Sequence, residues 1–167
     1  MAYDHFTDTV AAKNEISFPA DHGSGAAQLL AYLAAAPLII ASLFIVADDG
    51  RPAFYAAYLM SVYGAALIVF FGGVRWGVAV MKAGGPTMRS LFGAGLPLFA
   101  AIPLLLPLGG IAWKFPTIMG LVGLLLLDDL SATRRGSGAP SWYLSVRLPL
   151  TVLIELAFII AIVGMAR

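Results

Sequence analysis

Five apolar stretches, most of them long enough to cross a lipid bilayer, constrain this chain more than anything else in it. Hydrocarbon offers no water to bond exposed N–H and C=O groups, so stretches of this kind must close their backbone bonds internally, as helices. They are read as residues 26–47, 53–82, 88–106, 110–128 and 146–165. The expected fold class is therefore all-α: a polytopic membrane helical bundle of about five transmembrane helices. Composition agrees, since only 11% of the residues are charged and 60% are hydrophobic. Soluble domains carry about a quarter charged residues. The chain has room for one transmembrane domain, residues 25–167, preceded by a polar N-terminal tail, residues 1–24. That tail lacks the basic start and following apolar run of a signal peptide, so it is expected to be retained. Ordering a polar terminus of this length requires docking on the bundle or on a partner.

The connections carry recognisable stop signals. Asp48-Asp49-Gly50-Arg51 reads as a solvated turn, and Pro52 suits the first turn of the second helix, where its missing N–H costs nothing. That helix is long, about 45 Å at 1.5 Å per residue, and must tilt or protrude from a hydrocarbon layer of about 30 Å. Gly84-Gly85-Pro86 ends it. Pro97 and Pro103 interrupt the third helix, which only a packed bundle tolerates well. The apolar core of the fourth, residues 116–127, spans only about 18 Å. A re-entrant hairpin of helices three and four is the alternative to two full crossings, and Trp113 and Lys114 suit an interfacial position. A polar loop, residues 131–141, leads to the fifth helix.

Orientation follows from the placement of Lys and Arg. Lys13, Lys82, Arg89, Arg134, Arg135 and Arg147 fall on one side, against Arg51, Lys114 and Arg167 on the other. The N-terminus is therefore expected in the cytoplasm, with Trp76, Trp142 and Tyr143 as interfacial aromatics.

Two ionisable residues, Arg75 and Glu155, lie well inside apolar runs. A charge at such depth costs at least about 2.5–3.5 kcal/mol on insertion scales and calls for a partner. Arg75 is seven residues inside Lys82 and Glu155 eight inside Arg147, depths of about 10 and 12 Å. The near agreement predicts an intramembrane polar pair between them, or a shared polar pocket. The alternative is a snorkelling arginine and a protonated glutamate bonded to a neighbouring helix. Arg147 and Thr151, one turn apart ahead of Glu155, form a polar ladder inward from the interface.

On the second helix, Gly73 and Gly77 make a G-x-x-x-G stripe that permits close backbone approach. Arg75 faces the other way, on a side formed with Ser61, Gly64, Ile68, Gly72 and Ala79. Small residues on opposite sides predict packing on both, and a central place in the bundle. Asp128 and Asp129, an acidic pair at the expected C-terminal end of helix four, are disfavoured there by the helix dipole. They call for basic partners among Lys82, Arg134, Arg135 and Arg147.

Little else carries chemistry. The absence of cysteine removes disulfides, thiolate metal sites and iron–sulfur clusters, and both histidines, His5 and His22, lie outside the apolar core. The paired aspartates have no further acidic cluster to hold a metal, and beside a basic interface they give lipid chemistry only a slender basis. A net charge of +1 with no basic–aromatic surface argues against nucleic acid. No catalytic residue, cofactor or metal is expected.

Two segments carry a family resemblance. Residues 63–77, ending Gly72-Gly73-Val74-Arg75-Trp76-Gly77, and residues 140–151, with Pro140-Ser141-Trp142-Tyr143, resemble the signatures of the transmembrane protein 69-like family. These are uncharacterised multi-pass proteins of bacterial inner membranes and mitochondria. The resemblance implies a multi-pass architecture and a bacterial inner-membrane address, and no reaction. Family members commonly carry histidine where this chain has Arg75, so no imidazole role transfers.

The resulting expectation is a non-catalytic accessory, stabilising or assembly subunit of a larger energy-transducing complex, respiratory or photosynthetic. Its partners would be the lipid bilayer and other membrane protein subunits, with a bound phospholipid as a further candidate. The competing expectation is a small transporter or channel built on Arg75 and Glu155.

Overall fold

A computed structural model describes residues 22–48, 50–82, 84–136 and 142–167. The tail expected over residues 1–24 lies outside them, apart from its last three positions, which begin the first helix. Five helices make up the fold: α1 (His22–Ala47), α2 (Arg51–Val80), α3 (Met88–Leu105), α4 (Ile111–Arg134) and α5 (Tyr143–Met165). No strand occurs among the described residues. All five are long and apolar enough to cross a membrane. The chain is thus a multi-pass membrane protein of the expected class. At 18 and 24 residues, α3 and α4 reach about 27 and 36 Å, so neither requires the re-entrant alternative.

Local chemistry explains most boundaries. Pro52 opens α2 behind Gly50. Thr87 and Ser90 form a capping box at the start of α3, each hydroxyl taking a backbone N–H that the helix leaves unpaired. Between α2 and α3, Gly84 and Gly85 take φ of +87° and +82°, a conformation costly to any residue with a Cβ.

Neighbouring helices close a four-membered ring in the order α1, α2, α4, α5, with α3 packed mainly against α2. Since α2 touches α1, α3 and α4, and is the most deeply buried of the five, it is the central element. The core at mid-height is aromatic and branched: Phe115 and Phe158 meet edge to face at 5.0 Å, surrounded by Met60, Ile68, Ile118 and Ile154. Gly64 makes this layer possible. A Cβ there would lie 2.8 Å from the Phe158 ring and 3.0 Å from Ile118. Gly72 does the same for α3, where a Cβ would stand 3.0 Å from the Ala94 carbonyl and 3.1 Å from Pro97. The Tyr63 hydroxyl donates to the Ala34 carbonyl at 2.8 Å and ties α2 to α1 just ahead of Pro37.

The other side of α2 differs from expectation. Among the described residues nothing approaches within 4 Å of a Cβ at Gly73 or Gly77. Packing on both sides is therefore corrected to packing on one: the ring of helices lies on the Arg75 side, and among the described residues no element reaches the glycine stripe. Ala66, Phe70, Gly73 and Val80 are exposed along it.

Lys114 stands in the first turn of α4, at an end of the bundle, but does not face water there. It is 4% exposed, and its Nζ donates to the carbonyls of Leu104 at 2.9 Å and Leu106 at 2.7 Å. These carbonyls end α3, just before Pro107, and a helix cannot satisfy its last four carbonyls by itself. The ammonium closes the α3–α4 hairpin and lies at the negative end of the α3 dipole.

Candidate functional site: a charge network joining three helices

The charged residues converge at the end of the bundle where α2 and α4 finish and α5 starts. The Arg75 Nε donates to Asp129 Oδ1 at 2.8 Å, and its Nη2 to Asp128. From α5, Arg147 Nε donates to the other oxygen of Asp129 at 3.2 Å, and the Tyr143 hydroxyl donates to that same oxygen at 3.0 Å. Arg147 continues through Nη1 to Thr151 Oγ1 at 2.8 Å, and Thr151 returns its proton to the Arg147 carbonyl. The guanidinium carbon lies 3.5 Å from the centroid of the Phe71 ring, a cation–π contact strengthened by burial. Arg135 reaches Asp128 only at 3.9 Å, with both side chains largely exposed.

The expected Arg75–Glu155 pair does not form. Arg75 is held by Asp128 and Asp129, and buried Glu155 Oε1 has no hydrogen-bond partner among the described residues. Two boundary differences explain this. Helix α4 continues to Arg134, six residues beyond the expected 128, so both aspartates stand within the helix, Asp129 buried in the bundle and Asp128 exposed at its edge. With the helix continuing past them, the aspartates escape the dipole penalty expected at its end, and Ser131 and Thr133 bond back to Leu127 and Asp129. Helix α5 starts at Tyr143, so Arg147 is no surface anchor; it is 2% exposed. Glu155 lies eight residues, about 12 Å, deeper along α5 than the network.

Other sequence expectations meet the structure as follows. Arg147 and Thr151 form their ladder, but Glu155 does not extend it. The acidic pair does find basic partners: Arg147 on Asp129 and, more distantly, Arg135 on Asp128 were foreseen, and Arg75 was missed. Trp76 and Trp142 are partly exposed, whereas the Tyr143 hydroxyl turns to Asp129. Asp129 and Arg147 lie nearly equally far from the middle of the α4–α5 connection, where an antiparallel hairpin places them side by side; no comparable signal marks Arg75.

Electrostatically the group is balanced. Two guanidiniums meet two carboxylates, and Asp129 is 5% exposed while Asp128 is 58% exposed. Beside it opens a cavity of about 620 Å³ between α2, α3 and α4. Arg75, Asp128 and Asp129 form its inner wall, and Lys82, Arg89 and Arg135 its outer part. A second cavity of about 680 Å³ lies at the opposite end, near Asp48, Phe54 and Arg167. Glu155 lines neither. Among the described residues no group of three acidic or histidine side chains could hold a metal ion.

Searches of curated proteins and of solved structures find no match. A family model described as "Protein of unknown function (DUF3429)" matches residues 24–163, nearly all of the helical bundle. The chain belongs to the DUF3429 family of proteins of unknown function.

Proposed function

We propose that this protein is a non-catalytic accessory, stabilising or assembly subunit of a larger energy-transducing complex in a bacterial inner membrane. One observation carries the reading: the charges drawn into the bundle are, with the exception of Glu155, engaged in joining helices. Arg75, Asp129 and Arg147 cross-link α2, α4 and α5, and Lys114 closes the α3–α4 hairpin. An enzyme needs a nucleophile or base left free to meet substrate, whereas the buried carboxylate of this network, Asp129, is taken up by Arg75, Arg147 and Tyr143. The open α2 face at Gly73 and Gly77 supports a partner helix, because small residues let backbones approach closely. The energy-transducing complex and the bacterial address rest on the resemblance to transmembrane protein 69-like proteins of bacterial inner membranes and mitochondria. A cytoplasmic N-terminus follows from the Lys and Arg bias. Purification from native membranes in mild detergent tests the reading, with the expected result a stable complex with other membrane subunits. Recovery of a lone monomer from gentle extraction would count against it.

The cavity that reaches Arg75 favours a second reading, a small transporter or channel. Its polar element would be the Arg75–Asp128–Asp129 group in place of Arg75 and Glu155. Proteoliposomes separate the two: a solute or ion flux abolished by Asp129→Asn supports transport, and tight vesicles under an imposed gradient oppose it.

A further inference from the structure

We propose that the cavity between α2, α3 and α4 is a binding site for the phosphate headgroup of an acidic phospholipid. Three observations converge on it. The first is charge. Four cations, Arg75, Lys82, Arg89 and Arg135, line the cavity against two carboxylates, Asp128 and Asp129. Those carboxylates are bonded to Arg75, whereas Lys82 and Arg89 form no ion pair among the described residues. A net positive cavity of about 620 Å³ is thus left with two uncommitted cations at its mouth.

The second is position. Lys82 follows the end of α2, and Arg89 lies in the first turn of α3, at the depth where a spanning helix meets headgroups. Thr87 and Ser90 also line this wall, and the adjacent helix start adds the positive end of a dipole to the cations. Basic pockets between transmembrane helices at this level suit anionic headgroups.

The third is the remaining wall. Val74, Val78 and Phe92 line it too, and Phe92 is 72% exposed on the bilayer-facing surface. A free anion gains nothing from an apolar wall; an acyl chain below a bound phosphate does. The same phosphate chemistry could come from an inorganic ion, so the experiment separates the two sources.

The full-length protein is purified in a neutral detergent, and its thermal unfolding is followed while dioleoyl phosphatidylglycerol, dioleoyl phosphatidylcholine or inorganic phosphate is titrated in. Phosphatidylglycerol is expected to raise the midpoint in a saturable, salt-sensitive way, with the other two far weaker. Lys82→Gln with Arg89→Gln should lower the apparent affinity at least tenfold, about 1.4 kcal/mol. Both side chains are exposed, so the double variant should fold with an unchanged midpoint in the absence of lipid. The same shift with phosphatidylcholine or with inorganic phosphate, or an unaltered response of the double variant, would overturn the proposal. A third outcome would also overturn it. Asp4, Asp8, Glu15 and Asp21 precede α1, and a tenfold gain in lipid affinity on deleting residues 2–21 would make the chain's own acidic segment the occupant.

Discussion

Replacing Asp129 by asparagine tests the charge network most directly. The side chain is 5% exposed and accepts from Arg75, Arg147 and Tyr143. Asparagine keeps the shape and one acceptor oxygen but removes the charge that balances two guanidiniums. Arg147 is the more affected, because it is 2% exposed and has no other carboxylate among the described residues. Removing one partner of a buried pair costs about 3–5 kcal/mol, because the other charge stays buried without compensation. In a chain of this size that corresponds to a fall of about 6–20 °C in the unfolding midpoint, at about 2–4 °C per kcal/mol. Asp128 supplies the internal control. It bonds the same arginine but is 58% exposed, so Asp128→Asn should cost no more than about 1 kcal/mol. Both variants are measured by thermal unfolding in one detergent at one lipid content. A further variant isolates the cause: Arg147→Met in the Asp129→Asn background removes the stranded charge and should recover part of the loss. Its coupling to Asp129→Asn is expected at about 0.5–3 kcal/mol. If Asp129→Asn and Asp128→Asn fall together within 1 kcal/mol, on the order of the surface-pair range, the account of Asp129 as the hub is wrong.

Further predictions use the same measurement. Gly64→Ala should destabilise by about 1–3 kcal/mol through overpacking against Phe158 and Ile118. Gly73→Ala, with open space at its Cβ, should be neutral or stabilise by up to about 1 kcal/mol through helix propensity. Lys114→Met strands two carbonyls at the end of α3 and should cost about 1–3 kcal/mol. Glu155→Gln should leave the isolated chain's stability unchanged, since its carboxyl has no pairing to lose among the described residues; a loss of several degrees would reveal one.

How much of this was legible depends on which signal each element wrote into the sequence. Helix identity came from long apolar runs, and α1 to α3 begin and end within a few residues of expectation because Pro52, the Gly84-Gly85 turn and Pro107 punctuate them. The end of α4 was not legible for the opposite reason. Two aspartates and a polar run look like an exit from the membrane unless their partners are known, and Arg75 lies 54 residues away from Asp129 in the chain. The partners of Lys114 were illegible for the same reason. A lysine beside a tryptophan after an apolar run suits the interface, and only the fold brings the carbonyls of Leu104 and Leu106 to its Nζ. Side-chain type constrains depth well when a residue must meet water, and poorly when the protein itself supplies the polar environment.

That distinction reorders the intramembrane charges. Using Arg147 as a marker of the surface set Glu155 level with Arg75, but Arg147 is itself part of the interior. With the marker moved, one level holds Arg75, Asp129 and Arg147, bonded across three helices, and Glu155 falls about 12 Å deeper, level with no cation the structure places near it. The two depths therefore answer to different causes. The outer level is explained inside the chain: each charge there has an opposite charge within bonding distance, and Phe71 covers the guanidinium of Arg147. The inner carboxyl is not, because Oε1 has no donor among the described residues while the neighbouring position on α5, Leu156, is exposed on the bilayer-facing surface. A polar group at that depth is costly unless something meets it. If the protein works as a subunit, a donor from a partner helix at the level of Leu156 is where that cost would be offset, and the effect of Glu155→Gln should then appear in the yield of the complex and not in the melting of the isolated chain.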